Sequence, residues 1–258
     1  MKTIALTKPG LFITATDTEV GKTVVSCAIA AALRREGLSV GVAKPIASGC
    51  RRDREGLVNA DAEALAHFAD CRLDLATINP VRYHRPLTPA AAIEKGEPPV
   101  DYDALADGLR RIDAASDIML VEGLGGIMPP IDADHNMLDL MAAIGYPVLV
   151  VTRPNLGTLN HTAMTCMLIR QHGLRLAGLV INGYDPESAD ISVGSNRQWL
   201  GKVSRTKVLA TLPRADGVEP HNGRLPEVII DAAAVTDWQA HAKPAKPPKP
   251  PKHPKPRS

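Results

Sequence analysis

Short apolar runs recur along the chain and alternate with longer segments of mixed polarity. The runs are rich in β-branched residues and show little polar alternation, which is typical of strands buried on both faces of a sheet. They lie at residues 11–14, 39–43, 118–121, 148–152, 176–181 and 207–212. We therefore expect six strands in a mostly parallel sheet.

The segments between these runs space their apolar residues as helices do. They lie at residues 22–35, 60–68, 102–115, 137–144 and 158–172. Gly37 and Gly173 directly follow two of them, where glycine commonly ends a helix in the left-handed conformation. Strand and helix thus alternate, which predicts one α/β domain with helices on both faces of the sheet.

Charge is distributed unevenly along the 258 residues, whose net charge is +2. Residues 243–258 carry six basic residues and no acidic one, so the rest of the chain has 24 basic residues against 28 acidic ones. A mildly acidic body argues against a nucleic-acid surface on the domain. We expect residues 1–240 to fold and residues 241–258 to form a disordered Lys/Pro-rich tail. That tail is either a solvating or passenger extension, an electrostatic tether to polyanions or anionic lipid, or a PxxP-like ligand.

The four cysteines lie far apart and form neither a C-x-x-C pair nor a zinc-finger spacing with histidine. No stretch approaches 18 uncharged apolar residues, and the N-terminal apolar stretch is too short for a signal peptide. These features predict a cytoplasmic protein without a disulfide framework or a membrane partner.

Residues 15–23 read A-T-D-T-E-V-G-K-T and connect the first strand to the first helix. In the pattern G-x-x-x-x-G-K-[ST], backbone N–H groups wrap phosphates, the lysine reaches the β- and γ-phosphates, and the hydroxyl binds Mg²⁺. Lys22 and Thr23 occupy those last two positions. Ala15 replaces the first glycine, which the loop accommodates if its φ is negative and strains if its φ is positive. We predict a nucleotide-phosphate site here.

Glu122 ends the apolar run 118–121 and is followed by three glycines within four residues. Open α/β sheets bind ligands beyond the carboxyl ends of their strands, and a phosphate loop needs an acidic residue there to hold Mg²⁺. Glu122 is therefore a candidate metal ligand.

Several separated motifs resemble the dethiobiotin synthetase family. They are T-D-T-E-V-G-K-T at 16–23, K-P-I-A-S-G at 44–49, N-A-D at 59–61, T-I-N-P at 77–80, P-L-T-P at 86–89, V-E-G-L-G-G at 121–126 and L-G-T-L-N-H at 156–161. The resemblance implies a P-loop NTPase-like fold and a ligase of biotin biosynthesis. Such an enzyme uses ATP and Mg²⁺ to convert CO₂ and 7,8-diaminononanoate into dethiobiotin, ADP and phosphate, through a carbamate and a carbamic-phosphoric anhydride.

The resemblance also implies roles for individual residues. Lys22 and Lys44 would stabilise the transferred phosphoryl group, and Thr18 and Ser48 would contact the carbamate or the diamine. The implied Mg²⁺ ligands are Thr23, Asp61 and Glu122. The implied nucleotide contacts are Thr18, Glu19, Val20, Gly21, Lys22, Thr23 and, after the run 176–181, Asn182 at the base.

A homodimer is implied as well. In the family, the start of the helix at 158–172 binds the substrate carboxylate across the subunit interface. The matching residues are Gly157, Thr158 and Asn160. Segment 185–205 matches poorly, so no substrate contact is carried over from it.

Two other functions are compatible with a phosphate loop. An amide-forming ligase of the cobyrinic-acid diamide type normally carries a glutaminase domain, for which this chain is too short. A partitioning or site-placing switch ATPase would have a second lysine early in the loop, where this chain has T-D-T at 16–18. Stimulation of ATP hydrolysis by diaminononanoate and bicarbonate would indicate dethiobiotin synthesis. Stimulation by DNA or lipid would indicate the switch ATPase instead.

Overall fold

The computed structural model describes residues 1–54 and 56–243. In chain order its elements are β1 (Gly10–Ala15), α1 (Lys22–Arg35), β2 (Val40–Ala43), β3 (Ile46–Ala47), β4 (Arg51–Asp53), β5 (Gly56–Val58), α2 (Ala60–Ala69), α3 (Leu75–Ile78), β6 (Val81–Arg82), α4 (Pro89–Glu94), α5 (Tyr102–Ala114), β7 (Ile118–Glu122), α6 (Met137–Ile144), β8 (Val148–Thr152), α7 (Thr158–Gln171), β9 (Leu176–Tyr184), α8 (Ser192–Ser204), β10 (Val208–Pro213), α9 (Glu227–Ala234) and α10 (Trp238–Ala242). A 3₁₀ turn at Pro220–Asn222 follows β10.

A six-stranded, fully parallel sheet forms the centre of the molecule, in the order β10-β9-β8-β1-β7-β2. Each of the six predicted apolar runs is one of its strands. Successive residues of β1 face opposite sides, as the pleat of a strand requires. Leu11 and Ile13 pack in the core beneath α1, α2 and α9, whereas Phe12 packs in the core beneath α5, α6 and α7. The predicted α/β fold is confirmed.

Strand β9 extends further than the apolar pattern predicts. It continues to Tyr184, which pairs with Pro213 of β10, so Asn182 lies inside the strand and not after its end. The Asn-Gly pair at 182–183 resembles a turn in sequence, but the neighbouring strand continues the ladder past it. The prediction that Asn182 closes the strand was wrong.

Helix α8 lies in the segment that supports no prediction from sequence. Its buried face consists of Val193, Asn196, Leu200 and Ser204. Two of these four residues are polar, and the Asn196 amide reaches the carbonyl oxygen of Pro154 at 2.9 Å. The apolar periodicity that marks a helix in sequence is therefore interrupted on the very face that α8 buries.

The last described helix, α10, ends at Ala242, two residues beyond the predicted end of the domain at 240. The predicted tail lies outside the described residues from 244 onward, so its state stays a prediction. Within the described ranges, no helix is long and apolar enough to cross a membrane. All four cysteines are free thiols.

Asp113 on α5 ties the N-terminal segment to the domain. Its carboxylate accepts hydrogen bonds from the Thr7 amide at 2.9 Å, the Thr7 hydroxyl at 2.7 Å and the Lys8 amide at 2.8 Å. Burial disfavours the ionised carboxylate, but these hydrogen bonds outweigh burial and lower the pKa of Asp113 below its ordinary value.

We expect Asp113→Asn to lower the free energy of unfolding at pH 7 by about 1–3 kcal/mol, because it weakens a set of charge-assisted hydrogen bonds. Since the folded-state pKa is lowered, this stabilisation is present above the unfolded pKa near ~4 and is lost as pH falls through the folded value. Urea unfolding from pH 7 to pH 3 should show the gap to wild type closing. Asp107→Asn, an exposed carboxylate on the same helix, is the control. An Asp113→Asn gap that does not change with pH would contradict the assignment.

Candidate active site

The loop between β1 and α1 has the backbone of a phosphate-binding loop. Ala15 lies in β1 and is not among the residues with positive φ, so replacing the first glycine does not strain the loop. Gly21 precedes α1 with φ of 89°, and a Cβ there would lie 2.1 Å from Nδ2 of Asn182. Only glycine satisfies both the backbone angle and the space. Glu19 also adopts a left-handed conformation, with φ of 59°.

Helix α1 begins with Lys22 and Thr23, whose side chains share the cavity that this loop borders. Lys22 is buried, and burial together with the nearby charge of Lys44 lowers its pKa. A buried ammonium at a helix N-terminus, where backbone N–H groups are also free, strongly favours an anionic ligand. The start of α1 can therefore bind a phosphate group.

Lys44, Asp61 and Glu122 form a charged cluster beside the loop. Lys44 directly follows β2, Asp61 lies in the first turn of α2, and Glu122 ends β7. Nζ of Lys44 lies 2.6 Å from Oε1 of Glu122 and 2.8 Å from Oδ2 of Asp61. Its ammonium thus bridges two carboxylates that come from different parts of the chain.

Burial disfavours the charged forms of Lys44 and Asp61, but the attraction between opposite charges in the cluster is stronger. The pKa of Lys44 is raised because the carboxylates of Glu122 and Asp61 outweigh its desolvation. Likewise, the pKa of Asp61 is lowered because Lys44, His221 and Thr23 outweigh the effect of burial. Lys44 and Asp61 therefore stay ionised at neutral pH.

The cluster and the loop surround one cavity of about 370 Å³. The predicted site residues that line it are Thr18, Glu19, Gly21, Lys22, Thr23, Lys44, Ser48, Asp61 and Glu122. The cavity walls also include Val24, Asn59, Leu124, Gly125, Pro220 and His221. Most residues that the motifs single out are thus brought together.

The remaining predicted site residues do not line this cavity. Val20 is buried, and its carbonyl oxygen accepts a hydrogen bond from Nδ2 of Asn182 at 3.0 Å. Asn182 thus stabilises the backbone of the loop. Gly157 and Asn160 are exposed at the start of α7. The role of Asn182 at a nucleotide base and the role of the α7 start at a carboxylate stay predictions.

The Thr158 side chain is buried and paired with other hydroxyls of this chain. Its hydroxyl is buried and lies 2.7 Å from the Thr152 hydroxyl, which also lies 2.8 Å from that of Thr162. Its amide donates to the carbonyl oxygen of Asn155 at 3.2 Å. Within this chain the hydroxyl and the amide of Thr158 are thus already paired, and its contact with a substrate across a subunit interface stays a prediction.

His221 also lines the cavity, and nothing in the sequence indicated it as a site residue. Its Nε2 lies 2.8 Å from Oδ1 of Asp61, although 160 positions separate the two residues. The letters P-H-N-G at 220–223 suggest a turn but not the direction in which it projects a side chain. Only the packing of the turn against α2 brings the imidazole to Asp61.

The oxygen atoms of this cluster fit Mg²⁺. The Thr23 hydroxyl lies 3.0 Å from Oδ1 of Asp61 and 3.1 Å from Oε1 of Glu122, and hydroxyl and carboxylate oxygens are the hard ligands that Mg²⁺ prefers. Oε2 of Glu122 is buried and has no hydrogen-bond partner among the described residues. The same residues contain no group of three or more His, Cys, Asp or Glu that could enclose a metal. Two carboxylates and a hydroxyl are typical of Mg²⁺ sites completed by substrate phosphates.

Comparison with known proteins assigns the family. The ATP-dependent dethiobiotin synthetase BioD of Anaeromyxobacter sp. (strain K) is 40% identical over 204 residues, which cover 79% of this chain and 89% of that protein. BioD 1 of Escherichia coli (strain K12) is 38% identical over 175 residues, covering 68% of this chain and 78% of that protein. The chain belongs to the dethiobiotin synthetase family. The family model described as an AAA domain matches residues 9–222, a range that includes every residue of the cluster.

Solved structures extend the likeness of the fold well beyond the dethiobiotin synthetases. The MinD cell division protein of Aquifex aeolicus superposes with a TM-score of 0.58 at 14% identity, covering 93% of this chain and all of that one. At such low identity the likeness concerns the fold alone. The P-loop NTPase-like architecture is confirmed, and the family assignment comes from the dethiobiotin synthetases.

We expect Lys44→Met to lower the free energy of unfolding at pH 7 by about 3–5 kcal/mol, because it leaves two neighbouring carboxylates without their shared counter-charge. Urea unfolding without divalent cations measures this effect. Lys95→Met, which changes an exposed lysine after α4, is the control and should change stability by less than about 0.5 kcal/mol. Equal stabilities of the two variants would show that the ammonium is not essential to the cluster.

Proposed function

We propose that this chain converts 7,8-diaminononanoate and CO₂ into dethiobiotin, with ATP as the co-substrate and Mg²⁺ as the metal ion. The observation that carries the proposal is the convergence of two lysines, two carboxylates and a hydroxyl on the cavity beside the phosphate loop. The names of the relatives agree with it. This arrangement suits a phosphoryl transfer in which the attacking carbamate and the triphosphate are both anionic.

The proposed reaction forms a cyclic urea in three bond-forming steps. One amine adds to CO₂ and loses a proton, giving a carbamate. A carbamate oxygen then attacks the γ-phosphorus of ATP, ADP departs, and a carbamic-phosphoric anhydride results. Finally the second amine attacks the carbonyl carbon and displaces phosphate, which closes the ring. No step needs a nucleophilic side chain, so the protein's contribution is positioning and charge stabilisation.

Lys22 and Lys44 supply positive charge on two sides of the reacting phosphoryl group. Lys22 stands at the start of α1, where the phosphates bind, while Lys44 reaches the cavity from the end of β2. A carbamate and a triphosphate repel each other, and two convergent ammonium groups reduce that repulsion as the oxygen approaches phosphorus. Thr18 and Ser48 line the same cavity and offer hydroxyls to the carbamate or the diamine.

Thr23, Asp61 and Glu122 would hold Mg²⁺. When bound, the ion neutralises charge on the β- and γ-phosphate oxygens. Glu122 presents an oxygen without a hydrogen-bond partner in the described structure, and Asp61 contacts the same Lys44 ammonium.

We further propose that two copies of the chain associate through α7 and α8. An exposed hollow between these helices is lined by Met164, Met167 and Val203, three large apolar residues that remain solvent-accessible. Apolar clusters of this kind commonly mark protein interfaces. Gly157 directly precedes helix α7, so such an interface would bring the exposed start of α7 close to a second copy.

The direct test is product formation from purified protein, Mg²⁺, ATP, bicarbonate and 7,8-diaminononanoate, followed by mass spectrometry and phosphate release. We expect dethiobiotin and phosphate in equal amounts, and strongly reduced turnover in Lys44→Met with nucleotide binding retained. Phosphate release without dethiobiotin would refute the proposed acceptor. ATP hydrolysis stimulated by DNA or lipid instead would favour the switch-ATPase alternative.

We expect Met167→Glu to dissociate the dimer, because a carboxylate placed among the apolar side chains of an interface loses its hydration. Light scattering should change from twice the chain mass of 27.5 kDa to a single chain mass. Val235→Glu makes the same type of change at an exposed position next to α9 and should leave the mass unaltered. A wild-type protein that is monomeric at micromolar concentration would refute the interface.

A further inference from the structure

The turn that carries His221 is internally fixed. Glu219 and Arg224 exchange backbone hydrogen bonds of 2.9 and 3.0 Å across it. The Glu219 carboxylate also accepts a hydrogen bond from Asn222 Nδ2 at 3.0 Å and pairs with Arg224 at 2.6 Å. Residues 219–224 therefore form a closed loop, which fixes the backbone from which the half-exposed imidazole of His221 projects.

This closed loop is seated on the helix that carries Asp61. Gly223 has φ of 68°, and a Cβ there would lie 3.1 Å from Nε2 of His67 on α2. The glycine thus satisfies both a left-handed backbone and a close approach to α2. The loop thus packs on α2, the helix whose first turn carries Asp61 next to His221.

His221 donates to Asp61 a hydrogen bond of defined direction. An ionised carboxylate can only accept, so the proton lies on Nε2 of the imidazole at 2.8 Å from Oδ1. The other neutral donor to that oxygen is the Thr23 hydroxyl at 3.0 Å. Thr23 has a single proton and lies at a similar distance from Glu122, so it cannot hold both carboxylates.

The two oxygens of Asp61 therefore have different surroundings. Oδ1 is directed toward His221 and Thr23, whereas Oδ2 is directed toward the Lys44 ammonium inside the cluster. If the Lys44 ammonium moves to contact a phosphate group, Asp61 loses the positive charge that it is paired with. The hydrogen bond from His221 remains, because it comes from the loop and not from the cavity interior.

We propose that His221 is a positioning residue for Asp61: its Nε2–H holds Oδ1 and thereby keeps Oδ2 oriented toward the cation position between Asp61 and Glu122. The inference rests on the proposed Mg²⁺-ATP site. Hydrogen-bond partners of metal-binding carboxylates raise metal affinity by fixing the orientation of the ligand. Removing the imidazole should thus weaken metal binding without weakening metal-free nucleotide binding.

The test uses Mn²⁺ as a probe that electron paramagnetic resonance detects, together with a non-hydrolysable ATP analogue. The variants are His221→Leu, which removes the donor, and His221→Gln, whose amide can place an N–H near the position of Nε2. His172→Leu is the matched control, since His172 is an exposed histidine at the end of α7. Nucleotide affinity is measured separately in EDTA, and thermal unfolding monitors the fold of each variant.

We expect His221→Leu to raise the Kd of Mn²⁺ by about tenfold or more. His221→Gln should restore most of the affinity, and His172→Leu should match wild type. Nucleotide affinity in EDTA should be equal in all four proteins. In the dethiobiotin assay, His221→Leu should need more Mg²⁺ for half-maximal rate and regain its kcat at saturating Mg²⁺.

Three results would overturn the proposal. The first is wild-type Mn²⁺ affinity in His221→Leu, and the second is absence of nucleotide-dependent Mn²⁺ binding in the wild type. The third is an equal loss of nucleotide affinity in EDTA, which would make His221 a direct nucleotide contact. Failure of the proposed reaction can be told apart from failure of this proposal. A wild type that makes no dethiobiotin can still show the expected difference in Mn²⁺ affinity between His221→Leu and His221→Gln.

Discussion

The site depends on one buried counter-charge. Removing a carboxylate or an ammonium from water costs several kcal/mol per ion, so a buried charge persists only where an opposite charge and hydrogen bonds compensate it. The ammonium of Lys44 compensates both Asp61 and Glu122, which it meets at 2.8 and 2.6 Å. Each of the three residues therefore depends on the correct placement of the other two, and hence on three separate backbone elements.

The order of the strands supplies that placement. The chain passes from β1 to β2 but leaves a position between them, which β7 later fills. Because the three strands are parallel, their carboxyl ends lie along one edge of the sheet. The phosphate loop follows β1, Lys44 follows β2, and Glu122 ends β7 between them. Groups that are 78 positions apart in sequence thus become neighbours at the edge where open α/β sheets bind ligands.

A feature could be predicted from the sequence where it depends on residues close together in the chain, and not where it depends on contacts between distant segments. The six strands are visible because both faces of the sheet are buried, so each strand is a continuous apolar run. Helix α8 is not visible, because Asn196 and Ser204 occupy half of its buried face. The cluster could be predicted because its residues lie in family motifs, whereas His221 lies in a turn whose direction is set by contact with α2.

The surroundings of Thr158 and Asn182 differ from what the motifs suggest, and the two differences share a physical cause. A motif carries over the position of a backbone segment, but the direction of a side chain depends on its neighbours in this chain. Thr158 keeps its place at the start of α7, yet the hydroxyl of Thr152 draws its side chain into the interior. Asn182 keeps its place beside the loop, yet its amide donates to Val20 from within β9. On the proposed function, the same dependence on neighbours governs the cluster itself. A divalent cation alone would add positive charge beside Lys44 and Lys22, and a triphosphate alone would add negative charge beside Asp61 and Glu122. Only the two together let Lys44 exchange its carboxylate partners for phosphate oxygens while every buried charge remains compensated.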